Sequence, residues 1–126
     1  MCMWDECDDY PSIHRSKDVT ARKEHRCCEC GRIIAIGERY HYAFQIYDGD
    51  PYQFHTCSHC LVAQAWLRRE CGGFLIEGVW EDIAEHIREY PALRFPLGRL
   101  MVGFRKKWAG FPIPAIPTAT SHEYVA

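Results

Sequence analysis

Between residues 33 and 54 the order of apolar and polar side chains predicts extended chain. The run 39–47 (RYHYAFQIY) is rich in aromatic side chains, which favour strands. Asp48 and Gly49 follow this run and are typical of the tight turn of a β-hairpin, after which residues 52–54 return as a second strand. The middle of the chain is therefore predicted to contain an antiparallel hairpin.

The apolar positions change to helical spacing after this hairpin. Three stretches carry an apolar side chain every three or four residues, which predicts three amphipathic helices with one buried face each. Gly72 ends the first stretch and Pro91 ends the second. The three stripes are Leu61, Val62, Ala65 and Trp66; Trp80, Ile83, Ala84 and Ile87 within 77–90; and Leu97, Leu100, Met101, Phe104 and Trp108 within 97–108.

The two ends of the chain lack such a pattern. Residues 1–20 are polar and acidic, and we expect an irregular arm there. Residues 111–117 carry a proline at nearly every second or third position, which excludes a helix or a central strand and predicts an extended arm. This arm is either a loose tail or a strap that lays Phe111, Ile113 and Ile116 on this protein or on a partner.

Two Cys-x-x-Cys pairs carry the strongest chemical signal. Cys27 and Cys30 form the first pair, Cys57 and Cys60 form the second, and 26 residues separate the pairs. Four sulfur donors spaced in this way suit a tetrahedral zinc ion, because each pair supplies two corners from one tight turn. Gly31 suits a knuckle after the first pair, and the second pair opens a helix whose N-terminal partial charge favours thiolates. These features predict one structural Zn²⁺.

A knuckle, a β-hairpin and a helix that begins at the second pair are the parts of a treble-clef-like zinc finger. The sequence therefore predicts an α+β fold in which two further helices and a proline-rich tail follow this finger. The predicted sections are an acidic N-terminal arm (1–20), the zinc-binding module (21–73), a two-helix extension packed on it (74–110) and the C-terminal tail (111–126).

Other cysteines and histidines leave alternatives open. Disulfides are disfavoured, because half of the eight cysteines fall in metal-type pairs and a reducing compartment keeps such pairs as thiolates. Cys28, His55 or His59 could replace a predicted ligand. Cys71 is interpreted as a small buried apolar residue. The cysteines outside the two pairs are Cys2, Cys7, Cys28 and Cys71.

The formal net charge is −2, and it is distributed unevenly. This overall balance is not typical of a nucleic-acid-binding protein. The last section, residues 91–126, nevertheless carries five Lys and Arg against one Glu. Candidate nucleic-acid contacts in this section are Arg99, Arg105, Lys106 and Lys107. The nucleic-acid hypothesis has a second basic group next to the zinc, formed by Arg22, Lys23, Arg26 and Arg32. The basic side chains that lead into the first cysteine pair would also offset the negative charge of a zinc tetrathiolate.

The apolar runs are much shorter than the roughly 20 residues of a membrane span. The acidic start also lacks the basic and then apolar stretches of a signal peptide. We therefore expect a cytoplasmic protein without a membrane partner. The acidic positions at this start, which raise the idea of DNA mimicry, are Asp5, Glu6, Asp8 and Asp9.

The spacing of the cysteine and histidine residues gives little support for a catalytic function. A catalytic zinc keeps an open coordination position, whereas four cysteines leave none. The HNH nucleases are built on a related finger and need a His general base beside a metal that binds phosphate. His41 and His55 fall on predicted strands, but no matching acidic or Asn/His metal set follows on the helix. We expect a protein that is not an enzyme, with a metal-dependent nuclease as the residual alternative.

The segment 21–34 (ARKEHRCCECGRII), the motif 37–40 (GERY), the Asp-Gly turn and the second cysteine pair also resemble a known group. They are similar to short zinc-finger proteins of bacteriophages and prophages of Gram-negative bacteria, most without an assigned function. This resemblance covers roughly residues 15–90. It implies a small accessory protein in the host cytoplasm that binds and inhibits a host protein or complex, with an anti-CRISPR-like role as the sharpest version. The alternative is a phage nucleic-acid-binding protein; the oligomeric state is left open.

Overall fold

The computed structural model of the protein describes Cys2 and residues 13–119. This part of the chain is an α+β structure in which small antiparallel sheets precede three α-helices. A 3₁₀ turn, Pro91–Leu93, connects the second helix to the third. The elements in chain order are β1 (Ile13–Thr20), β2 (His25–Arg26), β3 (Ile33–Ile34), β4 (Arg39–Tyr47), β5 (Asp50–Cys57), α1 (Ser58–Cys71), α2 (Val79–Glu89) and α3 (Arg94–Arg105).

The predicted hairpin is confirmed as β4 and β5, which pair antiparallel with Tyr40 opposite Cys57 and Tyr47 opposite Asp50. Its turn places both central residues at positive φ, 49° for Asp48 and 83° for Gly49. This backbone twist matches that of the two flanking strands. Because β5 ends at Cys57 and α1 begins at the next residue, the hairpin delivers the second cysteine pair directly to a helix start.

The expectation of an irregular arm over residues 1–20 is wrong for its last eight residues. Ile13–Thr20 forms β1, which pairs with β4 along its whole length, from Ile13 opposite Ile46 to Thr20 opposite Arg39. All of its side chains except that of Val19 are exposed. The strand is held by main-chain pairing with little burial, so its sequence shows no apolar alternation. The rest of this arm, including the acidic positions discussed for DNA mimicry, lies outside the described residues apart from Cys2.

The three predicted helices are present, with different ends. The second runs from Val79 to Glu89 within the predicted 77–90. The third begins at Arg94, earlier than predicted, since proline is tolerated in a first helical turn, where Pro96 lies. It ends at Arg105, and Trp108 turns back at a φ of 61° to donate its main-chain N–H to the oxygen of Gly103.

The helices share one core that also receives residues from the strands. Trp80 of α2 stacks on Phe104 of α3 with ring centres 4.7 Å apart, and the Trp108 ring lies 5.7 Å from Trp80. Trp108 also stacks on His59 at 5.1 Å, which joins this aromatic cluster to the start of α1. Residues of this core that are almost fully buried include Ile34, Trp66, Leu67, Ile83, Leu93, Leu97 and Leu100.

The proline-rich tail lies on this protein as a strap across α1. The indole Nε1 of Trp66 donates to the main-chain oxygen of Ala119 at 2.8 Å, and Arg69 donates to that of Pro117. Phe111 is half-buried and faces Trp108 edge to face. Ile113 and Ile116 remain exposed, at 60% and 46%. Of the three apolar side chains expected to anchor the strap, only Phe111 packs closely.

Candidate metal centre

The fold brings all four predicted cysteines into one cluster. Cys27 follows β2, Cys30 lies in the next turn, Cys57 ends β5 and Cys60 lies in the first turn of α1. All four are buried, with at most 7% exposure. Their four sulfur atoms lie within 4.8 Å of one another.

The sulfur spacing fits a tetrahedral metal ion. A Zn–S bond of about 2.3 Å and a tetrahedral angle place neighbouring sulfurs about 3.8 Å apart. The sulfurs of Cys30 and Cys57, which come from the two different pairs, are 3.8 Å apart. The cluster therefore has the donors and the dimensions for a metal ion such as zinc.

The main chain around the first pair forms the predicted knuckle. The N–H of Gly31 donates to the oxygen of Cys27 at 3.0 Å, and the N–H of Cys27 donates to the oxygen of Arg32 at 2.8 Å. Gly31 has a φ of 77°, which glycine adopts without steric cost. The main-chain N–H of Cys57 points at the sulfur of Cys27 at 3.4 Å. Such N–H groups stabilise negative charge on a coordinating sulfur.

Only half of the predicted basic group surrounds these sulfurs. Arg26 donates from Nη1 to the oxygen of Gly31 at 2.7 Å, which fixes the knuckle. Burial acts to lower the pKa of Arg32, but its pairing with Glu38 and its approach to Cys57 raise the pKa above the usual range. A guanidinium beside Cys57 offsets part of the charge that thiolates create. The other two members, Arg22 and Lys23, line an open hollow beside β1.

Without a cation, the four neighbouring thiols shift one another's pKa values in opposite directions. Hydrogen bonds from neighbouring thiols, that of Cys30 first, lower the pKa of Cys27. The hydrogen bond to Cys27 is the first cause that raises the pKa of Cys60. Burial opposes ionisation of both groups. A divalent cation among the sulfurs removes this conflict, because it stabilises all four thiolates at once.

The three alternative ligands occupy other positions. The Cys28 sulfur lies 3.4 Å from the Thr56 hydroxyl, and burial raises the pKa of Cys28 to about 12. His59 donates from Nε2 to the main-chain oxygen of Phe111 at 2.9 Å, so this ring holds the strap. The His55 ring stacks on that of His25 at 4.2 Å. None of the three belongs to the four-sulfur cluster formed by the described residues.

Glu29 connects the cluster to the second helix, and the sequence analysis missed it. Its carboxylate accepts the main-chain N–H groups of Glu77 at 3.0 Å and Val79 at 3.4 Å, as well as the Gln64 amide at 3.4 Å. Burial raises the pKa of Glu29 to about 7, although these donors act in the opposite direction. The signal in the sequence is an acidic residue placed inside a Cys-x-x-Cys pair.

A second feature is an open hollow of about 910 Å³ at the end of the β1–β4 pair where Thr20 lies opposite Arg39. Its cations come from β1, from the turn before β2 and from β4, and tyrosine rings form part of its wall. The carboxylate of Asp18 lies 2.8 Å from Nδ1 of His41. The residues that line the hollow are Lys17, Asp18, Val19, Thr20, Arg22, Lys23, His25, Arg39, Tyr40 and Tyr42.

The structure does not gather the basic residues predicted as nucleic-acid contacts on one helical face. All four are exposed at or near α3. Arg99 and Arg105 are six positions apart on this helix, which at about 100° per residue directs them to different sides. Lys107 lies beyond the end of α3. Its Nζ is 4.0 Å from the position that a Cβ atom on Gly31 would occupy. Lys106 lies near the Phe111 ring, at 6.0 Å.

The expectation that the remaining cysteines form no disulfide is corrected for one pair. Cys2 and Cys71 are joined, with their Cα atoms 5.7 Å apart and a sequence separation of 69. Cys71 ends α1 and is only half-buried, so its interpretation as an apolar core residue is wrong. Helix packing that the sequence pattern does not encode brings this pair together, next to His86 of α2.

No protein-family model, curated protein or solved structure matches the chain. Among residues 2 and 13–119, no helix has the length and apolar character needed to cross a membrane.

Proposed function

We propose that Cys27, Cys30, Cys57 and Cys60 bind one structural Zn²⁺ in a treble-clef-like finger. The order of knuckle, β4–β5 hairpin and helix α1 supports this assignment, as does the sulfur spacing given above. With four thiolate ligands the ion has no position left for a reactant. The protein is then a binding module whose fold this ion stabilises, and the ion itself takes no part in a reaction.

We propose nucleic acid as the ligand of this module, and the observation that carries the proposal is the basic hollow. Lys17, Arg22, Lys23 and Arg39 line one open depression together with Tyr42. Cations positioned in a groove contact phosphates, and aromatic faces stack on unpaired bases. A single-stranded segment is the form of nucleic acid that uses both.

The charge of the surrounding chain is compatible with this ligand. Residues 13–126 carry 15 Lys and Arg against 13 Asp and Glu, so the acidic excess of the whole sequence comes from residues 1–12. The one carboxylate among the lining residues, that of Asp18, is paired with His41. Phosphate entering the hollow therefore meets mostly positive charge.

The test is the affinity of the full chain for a fluorescent single-stranded DNA and its RNA counterpart, followed by anisotropy at about 50 and 200 mM salt. The double variant Arg22→Glu/Lys23→Glu reverses two charges in the hollow. We expect at least a tenfold loss of affinity. The slope of log affinity against log salt concentration should become shallower, as expected for the loss of about two phosphate contacts. Lys106→Glu/Lys107→Glu is the matched control, because it makes the same change on the other basic surface.

The two variants also separate the two basic surfaces. A loss confined to Lys106→Glu/Lys107→Glu would move the binding site to the end of α3, as the sequence suggested. No change of anisotropy for the wild-type protein at about 50 mM salt would refute the nucleic-acid proposal.

A protein partner is the second candidate, in line with the phage-type resemblance and the inhibition of a host protein. Phe95 at the start of α3 favours it, because this ring is 85% exposed. Aromatic side chains of this kind anchor protein interfaces. The test is saturable binding to a host protein that Phe95→Ser weakens at least tenfold while nucleic-acid affinity stays unchanged. Equal binding by Phe95→Ser would exclude this surface.

A further inference from the structure

A second group of side chains that can bind a metal lies at the C-terminal end of α1. The sulfurs of Cys2 and Cys71 are 3.6 and 3.5 Å from Nε2 of His86. His86 belongs to α2 and is 2% exposed, while the two cysteines are half-buried. These donors come from three separate parts of the chain, and the group shares no residue with the four-cysteine cluster.

The His86 ring has a fixed orientation. Its Nδ1 lies 2.8 Å from the main-chain oxygen of Asp82 and 3.2 Å from the carboxylate oxygen Oδ1 of the same residue. Trp66 meets the ring at 89° with centres 5.2 Å apart. A carbonyl oxygen only accepts hydrogen bonds, so Nδ1 carries a proton and donates it. In the neutral ring the lone pair of Nε2 then faces the two sulfurs.

The disulfide leaves this lone pair without a donor from either sulfur. Neither sulfur of a disulfide has a proton to donate, and a buried acceptor without a donor is costly. Two thiolates and the Nε2 lone pair are, in contrast, the donor set that zinc prefers. A carboxylate or carbonyl behind the other ring nitrogen is the usual support of a metal-bound histidine, and Asp82 supplies both.

The distances agree with coordination. Zn–S and Zn–N bonds of about 2.3 and 2.0–2.1 Å at a tetrahedral angle separate nitrogen from sulfur by about 3.6 Å. His86 Nε2 lies 3.6 Å from Cys2 and 3.5 Å from Cys71. For both sulfurs to bind one zinc ion, the disulfide must first be reduced. The two sulfur atoms must then move from bonding distance to about 3.8 Å apart.

We propose that Cys2, Cys71 and His86 form a second zinc site when the two thiols are reduced, with water as the fourth ligand. The Cys2–Cys71 disulfide is the oxidised, metal-free form of the same site. The two forms interconvert by exchange with a small-molecule disulfide. The two thiolates give up two electrons to form the S–S bond, the small disulfide takes these electrons and two protons to become two thiols, and the ion leaves.

The experiment is the zinc content of the full chain, purified in the presence of a phosphine reductant that has no thiol groups. Elemental analysis after desalting is expected to give two equivalents for the wild-type protein. Cys2→Ser and Cys71→Ser should each retain one equivalent. Cys28→Ser is the matched control and should retain two, because it changes a cysteine outside both clusters. One equivalent in the reduced wild-type protein, or two in Cys2→Ser, would overturn the proposal.

Thiol protection gives a second answer, for which Cys2→Ser reports how much protection folding alone gives Cys71. Zinc added to the reduced, metal-depleted chain should slow alkylation of Cys2 and Cys71 at least tenfold, as read by peptide mass mapping. Alkylation of these two residues that zinc does not slow would overturn the second site, even if the four-cysteine cluster binds its ion. Protection of Cys57 and Cys60 in the same mapping reports the structural zinc on its own, so failure of that ion can be told from failure of the second site.

Discussion

The four-cysteine cluster and the helical extension formed by α2 and α3 lie in one core, but they bury different kinds of side chain. The cluster encloses four sulfurs that repel one another as thiolates unless a cation joins them. The extension encloses aromatic rings, with Trp80 between Phe104 and Trp108. One region is expected to depend on metal and the other on packing. Their contributions to stability can therefore be separated by substitution.

The largest effect is expected for Cys57→Ser. Binding of a structural zinc contributes on the order of 10 kcal/mol to folding, which is comparable to the roughly 5–15 kcal/mol net stability of a domain. Loss of one ligand should therefore abolish zinc binding at this cluster and unfold the finger. Circular dichroism and elemental analysis of the purified variant measure both effects.

Cys28→Ser is the control for this prediction, because the Cys28 sulfur contacts the Thr56 hydroxyl and lies outside the cluster. It should keep the metal content and change the free energy of unfolding by about 1 kcal/mol or less. A folded Cys57→Ser protein without zinc would show that the cluster does not need its ion, and would remove the contrast between the two regions.

Trp80→Ala tests the other region and should have the next largest effect. Trp80 is 5% exposed and stacks on Phe104. Truncation of a buried tryptophan costs about 3–5 kcal/mol. We expect urea unfolding at a lower midpoint, with the structural zinc still bound in the absence of urea. Phe95→Ala is the control, since this ring is 85% exposed and its loss should change stability by about 0.5 kcal/mol or less.

The two regions also differ in what the sequence could predict. The four cysteines of the cluster could be predicted from local spacing. Each Cys-x-x-Cys pair is a short motif, and the predicted hairpin between the pairs brings the chain back so that the two pairs meet. The apolar stripe of α2 likewise places Trp80 and Ile83 inside. The contact of Cys2 with Cys71 depends on how α1 and α2 pack, and no local pattern reports it. The strand β1 was missed for a related reason, since it is held by pairing with β4 and is almost wholly exposed.

Gly103→Ala should destabilise the extension by about 1–3 kcal/mol through overpacking. A Cβ at this position would lie 2.1 Å from the Trp108 ring, which is itself buried against the core. Gly98→Ala makes the same change on the same helix where nothing lies within 4 Å. It should be neutral or stabilise the protein by up to about 1 kcal/mol, since alanine favours helix. Thermal unfolding should show a lower midpoint for Gly103→Ala and an unchanged or higher midpoint for Gly98→Ala, and equal shifts would show that the Trp108 ring moves aside without cost.

The smallest effect is expected at Glu29, the residue that joins the two regions. Glu29→Ala removes the acceptor of the Glu77 and Val79 N–H groups at the start of α2. Loss of such an acceptor at a helix start costs about 1 kcal/mol. Glu29→Gln keeps an amide oxygen in the same place and should cost less than half as much. Hydrogen exchange at the first turn of α2 measures the effect directly. Faster exchange there with unchanged zinc content would show that Glu29 couples the helix to the cluster without contributing to the metal site. If zinc affinity fell in parallel, the two regions would form one cooperative unit, and their separation by substitution would fail.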